Sequence, residues 1–581
     1  MMRITLLSTL SLLAANAVGA GAQSQTHTPP GCRAFPGDIE WPSALAWKAL
    51  NLTVGGKLIA GVPLGRPCFN PGASQARCTA LKEHFTELEP FTEDPVNVMS
   101  PYWQNNSCSP FLGPTGTCSL GNLASYAIKV TSAADVIAGI VFATAKNIRL
   151  TIKNTGHDFL GRSAGAGSLA LWTHHLQEIT FFRFSSTGYS GPAVRLGAGV
   201  DGTDLLPAAK AAGYRVVGGS CPTVGVTGGF TQGGGHSPLS AKYGLGADQV
   251  LEYDVVTALG IRTTASPTKN PALFWALRGG GAGNYAVVLS MTVKVYPDGP
   301  SAGAGFLILN DGDDTKYWKA MSAWFKHLLV LDKIPGYMTG FTMGRDFLSL
   351  AFALLPDTTS VTDITAPLQP FFDELATLNV TLAQNSAFIS PSYADWYTSW
   401  AVPVAYGTNN ALGGRLVPRT VVQNNLPALI NVFRDIVEVS TPEIEFSVIN
   451  GITVNLTTKR IGNAANPGTS AVLPAWREAL FTLNFGIPFA ANAPVSTLKF
   501  GQAWINEKQS KLRAVTPGGG TYMNEATFDN PNWKQDYFGS NYNALLAVKK
   551  TYDPLGLLWA HSAVGSDVSW KQRVDGRLCK V

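Results

Sequence analysis

The stretch Gly218–Gly246, GGSCPTVGVTGGFTQGGGHSPLSAKYGLG, has the most unusual composition in this chain. Ten of its 29 residues are glycine, and it contains neither aspartate nor glutamate. Glycines let backbone N–H groups come close to a ligand, and the lack of carboxylates spares an anion from repulsion. We therefore expect this segment to bind a pyrophosphate group; the alternative is a flexible surface loop.

A second segment, Asn154–Ser163 (NTGHDFLGRS), directly follows the predicted strand Ile148–Lys153. Ligands in α/β folds lie where strands end, so this turn is a candidate for the same site. Its His157, taken alone, is more often a structural histidine than a functional one. Cys221, in the glycine-rich segment, stands apart from the other six cysteines and is either buried and inert or used in other chemistry.

Two other kinds of site have no support in the sequence. Gly197–Gly202 (GAGVDG) matches GxGxxG before a predicted helix, but no acidic residue lies between Asp204 and Asp248 to bind a nicotinamide cofactor's ribose. The metal motifs HExxH and CxxC do not occur, so we expect no metal site.

Composition narrows the class of protein further. The chain has 581 residues, a length at which large α/β enzymes often use two domains. Hydrophobic residues make up 45% and charged residues 14%, which excludes a disordered or coiled-coil protein. The net charge is only +5 without a basic block, so nucleic acid is not an expected partner.

The first residues have the pattern of a secretory signal peptide. Arg3 precedes the apolar run Ile4–Val18, and Ala20–Ala22 is a small-x-small cleavage signature. We expect residues 1–22 to be removed and the mature protein to be soluble, secreted and extracellular. No later apolar run reaches the roughly 20 residues of a membrane helix, so no membrane contact is expected.

Cysteine use agrees with export, because six of the seven cysteines could form three disulfides. Several connectivities are possible. We expect Cys68–Cys78 and Cys108–Cys118 to close short loops, which leaves Cys32 for Cys579. Four Asn-x-Ser/Thr sequons permit glycosylation: Asn51, Asn105, Asn379 and Asn455.

The pattern of elements changes along the chain. Residues 23–119 show little periodicity and are expected to form a disulfide-pinned cover, and residues 120–299 alternate strands and helices. The expected strands and helices there are Ser125–Val130, Ala133–Lys146, Ile148–Lys153, Val194–Gly197, Leu205–Ala212, Tyr253–Ala258 and Ala286–Val295. Residues 300–515 favour an antiparallel sheet with helices on one face, a second domain. Its clearest elements are Thr315–Val330, Phe347–Leu355, Val421–Val437, Glu445–Val454 and Phe481–Phe489, with a linker at Pro517–Gly520 and a last helix at Asn541–Lys550.

Four segments resemble the vanillyl-alcohol oxidase superfamily of FAD enzymes, in particular its berberine-bridge-enzyme-like branch and the secreted fungal FAD-linked oxidoreductases within it. They are IKNTGHDFLGRSAGAGSLALWTHHL (152–176), GGSCPTVGVTGGFTQGGGHSPLSAKYGLGADQVLEYDVV (218–256), NPALFWALRGGGAGNYAVV (270–288) and TYMNEATFDNPNWKQDYFGSNYNALLAVKKTYDP (521–554).

The resemblance implies an α+β fold in which a PCMH-type FAD-binding domain is joined to an α+β substrate domain with an antiparallel sheet. We expect a disulfide-rich N-terminal segment at 23–119, the FAD-binding domain at 120–299, the substrate domain at 300–515 and a returning berberine-bridge-like segment at 516–581. We expect a monomer.

In this family the histidine of the TGHD turn is bonded to the flavin 8α carbon, and the cysteine of the GxCPTVG motif to flavin C6. These positions are His157 and Cys221, so the resemblance implies FAD held by two covalent bonds. Asn154-Thr155-Gly156 replaces a more glycine-rich turn seen in other members. We also expect the cofactor to be bound by Asn154, Thr155, Gly156, Asp158, Gly161, Ser163, Val224, Gly225, Gly228, Gly229, Gly234, His236, Asn541 and Tyr542.

The family often uses a tyrosine of a Tyr-x-Asn motif as catalytic base, here Tyr522 with Asn524. A phenol needs a depressed pKa for that role, and the alternative is that Tyr522 only packs on the flavin. The resemblance implies hydride transfer from an alcohol-type small molecule to flavin and then to O2, giving H2O2; a dehydrogenase with another acceptor and a non-catalytic flavin carrier remain alternatives. Val224 matches the small residue beside which O2 approaches in the family's oxidases, the alternative being simple packing.

Overall fold

The computed structural model describes residues 26–100, 106–400, 409–439, 441–466, 468–490 and 492–581. The expected signal peptide at 1–22 and the sequon Asn105 lie outside them. Sheets of four, five and seven strands, which we call the small, middle and large sheets, organise the described residues together with two pairs of short strands. Within these ranges no helix combines the length and the apolar character needed to cross a bilayer.

The small sheet carries the turn that contains His157. Its strands, in order across the sheet, are Leu58–Ala60, Tyr126–Lys129, Ser168–Trp172 and Arg149–Lys153. The last three are parallel, and the helix between two of them provides the crossover that parallel pairing needs. Helix Ala133–Ala145 buries Val136 and Ile140 against them. The candidate turn therefore begins where a parallel strand ends.

The middle sheet supports the glycine-rich segment. Its five antiparallel strands, in order, are Ile179–Ser185, Ser190–Gly197, Ala286–Lys294, Val250–Thr257 and Arg262–Ala265. Helices that share its core are Gly202–Ala211, Pro271–Leu277 and Tyr542–Tyr552. Val226 and Phe230 of the glycine-rich segment pack into this core. Two apolar anchors thus fix a loop that is rich in glycine.

The large sheet is antiparallel, as the sequence predicts for this region, and it has seven strands. In order they are Gln384–Ser390, Ser301–Leu309, Phe347–Pro356, Met338–Met343, Val448–Thr453, Ala479–Phe489 and Asn409–Pro418. Helices that pack on one face are Asp314–Leu331, Gln369–Thr377, Leu426–Val437 and Val495–Val515. Alternation along one strand buries Phe485 and Ile487 under these helices, whereas Asn484 and Gly486 point to the opposite face.

Shorter elements complete the described chain. The remaining helices are Ala44–Thr53, Gln75–Glu83, Glu89–Thr92, Val361–Thr365, Tyr393–Trp400, Arg419–Asn424, Thr458–Ile461, Trp533–Phe538, Ser240–Tyr243 and Gly246–Gln249. The two pairs of short strands are Tyr214–Arg215 with Tyr296–Pro297, and Trp570–Gln572 with Leu578–Lys580.

The three expected disulfides are confirmed. Cys68 bonds to Cys78 and Cys108 to Cys118, each across ten residues of sequence. Cys32 bonds to Cys579, 547 residues away, which joins the start of the described chain to its last strand. Cys221 takes no part in a disulfide and is buried in the glycine-rich segment.

Two expectations about helices are corrected. The helix expected at Val421–Val437 is two helices, Arg419–Asn424 and Leu426–Val437, because Pro427 lacks an N–H and its ring obstructs a continuous helix. The segment 23–119 is more regular than expected. Its helix Ala44–Thr53 buries Trp47 in the core of the small sheet.

A buried ion network joins the large sheet to the C-terminal segment. Arg415, on an edge strand, contacts Asp536 at 3.0 Å, and both side chains are only 3% exposed. Arg513, from the long helix Val495–Val515, also pairs with Asp536. Burial opposes ionisation, but hydrogen bonds from Arg513 and Asn530 and the charge of Arg415 lower the pKa of Asp536 below its ordinary value.

We predict that Asp536→Asn lowers the free energy of unfolding by about 3–5 kcal/mol, because it leaves Arg415 buried without its carboxylate. Because the pKa of Asp536 is lower in the folded protein than in the unfolded chain, its carboxylate contributes its full stabilisation above the pKa of the unfolded state. That stabilisation is lost as pH falls through the pKa of the folded state. The difference in the free energy of unfolding between wild type and Asp536→Asn, measured by denaturant titration, should therefore decrease at acidic pH. Asp311→Asn, which removes an exposed partner of Lys316, is the control and should leave the free energy of unfolding nearly unchanged. Equal losses in the two variants would contradict the prediction.

Candidate active site

A cavity of about 780 Å³ lies between the FAD-binding motifs expected from the sequence and the bare face of the large sheet. One wall consists of the turn around His157 and the glycine-rich segment. The opposite wall is formed by side chains of the large sheet, and Tyr522, Asn524 and Glu525 line the cavity as well. The segments that the sequence analysis singled out therefore meet at one site.

His157 and Cys221 converge on a single hydroxyl group. His157 Nε2 lies 2.6 Å from Thr223 Oγ1, and Cys221 Sγ lies 3.6 Å from the same oxygen. Both residues line the cavity. Burial and then the positive charge of Lys153 lower the pKa of His157 to about 3, so its imidazole is neutral at neutral pH. Two nucleophilic side chains, distant in sequence, thus share one wall.

Lys153 stabilises the turn that contains His157. Its buried ammonium donates hydrogen bonds to the carbonyls of Phe91 at 3.0 Å and of Asp94 at 2.7 Å. Longer bonds of 3.4 Å reach the carbonyls of Asn154 and Thr155. Burial lowers the pKa of Lys153 to about 8. The ammonium therefore ties the start of the turn to the N-terminal segment.

Asp158 closes the other half of the turn. Its Oδ2 accepts hydrogen bonds from the Ser163 backbone N–H at 2.7 Å and from the Ser163 hydroxyl at 2.6 Å. Its Oδ1 accepts a bond from the Leu160 N–H. The carboxylate is thus occupied by its own loop, and it fixes the backbone of the turn at Leu160 and Ser163.

The turn and the glycine-rich segment approach each other more closely than side chains would allow. A Cβ on Gly225 would lie 2.2 Å from Asn154 Nδ2, and one on Gly228 would lie 2.9 Å from the same atom. That amide donates a 2.6 Å hydrogen bond to the carbonyl of Ala198. Glycine is therefore required here for close approach of two chain segments.

Several buried polar atoms of the cavity walls have no hydrogen-bond partner among the described residues. They are Asn154 Oδ1, Ser220 Oγ, Thr227 Oγ1, His236 Nδ1 and Thr482 Oγ1. Buried polar groups are nearly always satisfied, so such a concentration around one cavity indicates a ligand that supplies the missing partners. All five residues belong to the cavity lining.

Tyr522 lies against the glycine-rich segment. Asn524 Nδ2 donates to the Tyr522 hydroxyl at 2.9 Å and to the carbonyl of Gly229 at 2.8 Å. The ring packs edge-on against His236. Burial and the negative charge of Glu525 raise the pKa of Tyr522 above its ordinary value. These surroundings act against the depressed pKa that a base role would need.

Most of the predicted site residues line the cavity. They are Asn154, Thr155, Gly156, His157, Asp158, Ser163, Cys221, Val224, Gly225, Gly228, Gly229, His236, Tyr522 and Asn524. Gly161 and Gly234 lie outside the lining and adopt positive φ angles of 71° and 118°, so they shape the loops instead.

Asn541 and Tyr542 also lie outside the lining. Asn541 Nδ2 donates to the carbonyls of Ala471 and Val472, and the Tyr542 hydroxyl donates to Asp567. Their side chains therefore connect the C-terminal segment to its neighbours. No cluster of three or more His, Cys, Asp or Glu side chains that could hold a metal occurs in the described part of the chain.

Several site residues were not singled out from the sequence. Thr223 and Glu525 stand inside quoted motifs but carried no role, and Arg162 lines the cavity while its guanidinium binds the carbonyls of His561 and Ser562. The large sheet contributes the polar residues Thr342, Asn410, Asn450, Thr482 and Asn484 to the lining. For Asn450, Thr482 and Asn484, which lie in predicted strands, alternation with buried apolar residues was the available signal.

Two family models match this chain: an FAD binding domain at residues 124–266, and a berberine and berberine-like model at residues 521–565. The bifunctional decalin synthase calF of Penicillium decumbens is 41% identical, over 99% of both chains. The VAO-type flavoprotein oxidase VAO615 of Thermothelomyces thermophilus is 38% identical, also over 99% of both.

A solved structure agrees. The crystal structure of VAO-type flavoprotein MtVAO615 at pH 5.0 from Myceliophthora thermophila C1 matches with a TM-score of 0.89 and 37% identity, over 95% of this chain and 100% of the other. The expected α+β fold with a PCMH-type FAD-binding domain is thereby confirmed. The cavity also fits FAD, because a carboxylate-free glycine loop suits a pyrophosphate and the unsatisfied polar atoms can bind ring and ribose groups.

We predict that Gly225→Ala lowers the FAD content of the purified protein and its thermal stability. The new methyl group would displace Asn154, an overpacking that typically costs about 1–3 kcal/mol. The ratio of flavin to protein absorbance and the melting temperature measure the effect. Gly218→Ala is the control, because a Cβ there meets nothing within 4 Å. Full FAD occupancy in Gly225→Ala would show that the close approach does not shape the site.

Proposed function

This chain belongs to the VAO-type, berberine-bridge-enzyme-like family of FAD-linked oxidoreductases, and from that premise we propose that it is a secreted oxidase with FAD covalently tethered to His157 and Cys221. The convergence of these two side chains on the Thr223 hydroxyl is the observation that carries the proposal. The protein is an FAD-dependent oxidoreductase. The two covalent bonds to FAD, the secretion, the alcohol-type substrate and O2 as electron acceptor are our proposals.

The chemistry of both side chains supports the tether. The pKa of His157, lowered to about 3, leaves its imidazole uncharged and thus nucleophilic at neutral pH. Cys221 is buried and takes no part in a disulfide, so its thiol remains available for such a bond. Thr223 lies within hydrogen-bonding reach of both and orients them toward the cavity.

The polar side chains on the cavity walls favour an alcohol-type substrate. When bound, FAD supplies a hydride acceptor that O2 can reoxidise with formation of H2O2. The large sheet offers amide and hydroxyl groups, among them Thr342, Asn450 and Asn484, that can hydrogen-bond to hydroxyl groups. The carboxylate of Glu525 disfavours anionic substrates, so we propose a neutral alcohol, sugar or phenolic metabolite.

Secretion has two supports. The N-terminal pattern of residues 1–22 fits a signal peptide. Three disulfides, one of which joins the two ends of the described chain, suit an oxidising compartment.

We predict that the flavin stays with the denatured protein. Acid-precipitated wild type should remain yellow, and its deglycosylated mass should exceed that of the polypeptide by one FAD. His157→Ala and Cys221→Ala should each keep one bond, whereas the double variant should release FAD, because only these two side chains form the tether. The absorbance of the washed pellet and intact mass spectrometry measure this.

His174→Ala is the control for this experiment. His174 is buried but lies outside the cavity lining, so its removal should leave both bonds intact. A wild-type pellet that loses all its colour would contradict the covalent tether and leave FAD binding itself unaffected.

Val224 lies where it can control access of O2. It lines the cavity, and its side chain packs in the same cluster as Cys221, Phe91 and Met99. Gly225 follows it, and a Cβ on Gly219 would lie 3.7 Å from the Val224 Cβ, so two neighbouring positions add no side chain beside Val224. We propose that the small valine keeps a path open for O2.

We predict that Val224→Leu or Val224→Ile slows reoxidation of the photoreduced protein about tenfold, a barrier increase of about 1.4 kcal/mol, because an extra methylene narrows a packed path. Stopped-flow mixing with O2 measures the rate without any substrate. Val448→Leu, on the opposite wall of the same cavity, should leave it unchanged. Slow wild-type reoxidation would contradict the oxidase assignment, and an unchanged rate in both Val224 variants would exclude Val224 as the gate.

A further inference from the structure

A chain of hydrogen bonds runs across the large-sheet wall and ends at a carboxylate. The Thr342 hydroxyl donates to Asn450 Oδ1 at 2.8 Å, and Asn450 Nδ2 donates to Asn484 Oδ1 at 3.1 Å. Asn484 Nδ2 then donates to Glu525 Oε2 at 3.0 Å. His236 Nε2 donates to the other oxygen, Glu525 Oε1, at 2.7 Å. All five residues line the cavity.

Every donor in this series of hydrogen bonds points toward Glu525. Each amide accepts with its oxygen and donates with its nitrogen, so the dipoles of Thr342, Asn450 and Asn484 align and favour negative charge at the end of the chain. The carboxylate is therefore held in one orientation from two sides, by the large sheet and by the glycine-rich segment.

Glu525 is more exposed to the cavity than its partner His236. Its side chain is 23% exposed, whereas that of His236 is 6% exposed and stands between Tyr522 and Trp476. Among the described residues, His236 Nδ1 has no hydrogen-bond partner, and Glu525 is the one partner of the imidazole. His236 thus acts through the carboxylate that it orients.

The ionisation of the two candidate bases differs. Burial opposes ionisation of Glu525, but the charge and hydrogen bond of His236 and the bond from Asn484 lower its pKa, so it is ionised at neutral pH. Tyr522 is buried, accepts from Asn524 and has a raised pKa. An ionised carboxylate can take a proton at once, whereas a phenol must first lose its own.

We propose that Glu525 is the proton acceptor of this active site and that His236 is its positioning residue. This proposal rests on the proposed function. As the substrate alcohol becomes a carbonyl, its O–H and C–H bonds break and a C=O bond forms. The hydroxyl proton goes to Glu525, and the hydride, with two electrons, goes to the flavin. O2 then takes up two electrons and two protons as H2O2.

The first test compares flavin reduction in three proteins under anaerobic conditions. Glu525→Gln keeps the shape of the side chain and one of its two acceptor oxygens. It cannot be a base, so reduction by a substrate alcohol should slow about 100-fold or more. Tyr522→Phe should slow it less than about tenfold. Both variants should keep wild-type flavin content and reoxidise at the wild-type rate after photoreduction, which separates a lost base from a damaged site.

The second test follows the ionisation of Glu525 without substrate. The titratable groups that face Glu525 among the described residues are His236 and Tyr522. The carbonyl stretch of the protonated carboxyl should appear in the infrared difference between wild type and Glu525→Gln as pH falls. His236→Gln removes the charge that lowers the pKa, so both this titration and the acid limb of flavin reduction should move to higher pH.

The outcomes are distinguishable. Flavin reduction that survives in Glu525→Gln but fails in Tyr522→Phe would overturn the proposal and leave the proposed function intact. An unmoved titration in His236→Gln would overturn the positioning role. Wild-type flavin that no alcohol, sugar or phenolic compound reduces would refute the proposed function, and the role of Glu525 with it.

Discussion

The close approach of Asn154 to Gly225 is the constraint on which the active site depends. The Asn154 amide reaches the carbonyl of Ala198 only because residue 225 has no side chain. This contact brings a turn at the end of a parallel strand against a loop anchored on a different sheet. Because of it, His157 and Cys221 meet at the Thr223 hydroxyl although 64 positions separate them in the sequence.

The distribution of charge divides the cavity into two halves. The glycine-rich loop supplies no carboxylate, and the carboxylate of Asp158 in the turn is occupied by Ser163 and Leu160. The half that suits a pyrophosphate is thus free of competing anions. Glu525, by contrast, lies at the end of the series of hydrogen bonds that runs through the amides of Asn450 and Asn484. One half of the cavity is therefore adapted to hold an anionic cofactor and the other to accept a proton.

Local patterns predicted much of this structure, and contacts between distant segments explain the rest. Strand and helix periodicity and the glycine-rich motif are properties of short windows, so many strands and helices and the carboxylate-free loop were predictable. Cysteine spacing suggested the two short disulfide loops, and the roles of His157 and Cys221 were implied by the resemblance to the family. Pro427 is a local sequence signal for the break between two helices, but the helical spacing of the apolar residues around it favoured one continuous helix. The role of Glu525 was not predictable, because its partners Asn484 and His236 come from a strand and a loop whose proximity only the folded chain creates.

We propose that this protein delivers electrons from a neutral hydroxyl compound to O2. Anaerobic mixing of the wild-type protein with alcohols, sugars and phenolic compounds, followed by admission of air, tests this through the colour of the flavin. We expect that at least one class of compound bleaches the flavin and that air restores the colour with release of an equal amount of H2O2. Bleaching that air does not reverse, or a flavin that no class of compound bleaches, would contradict it.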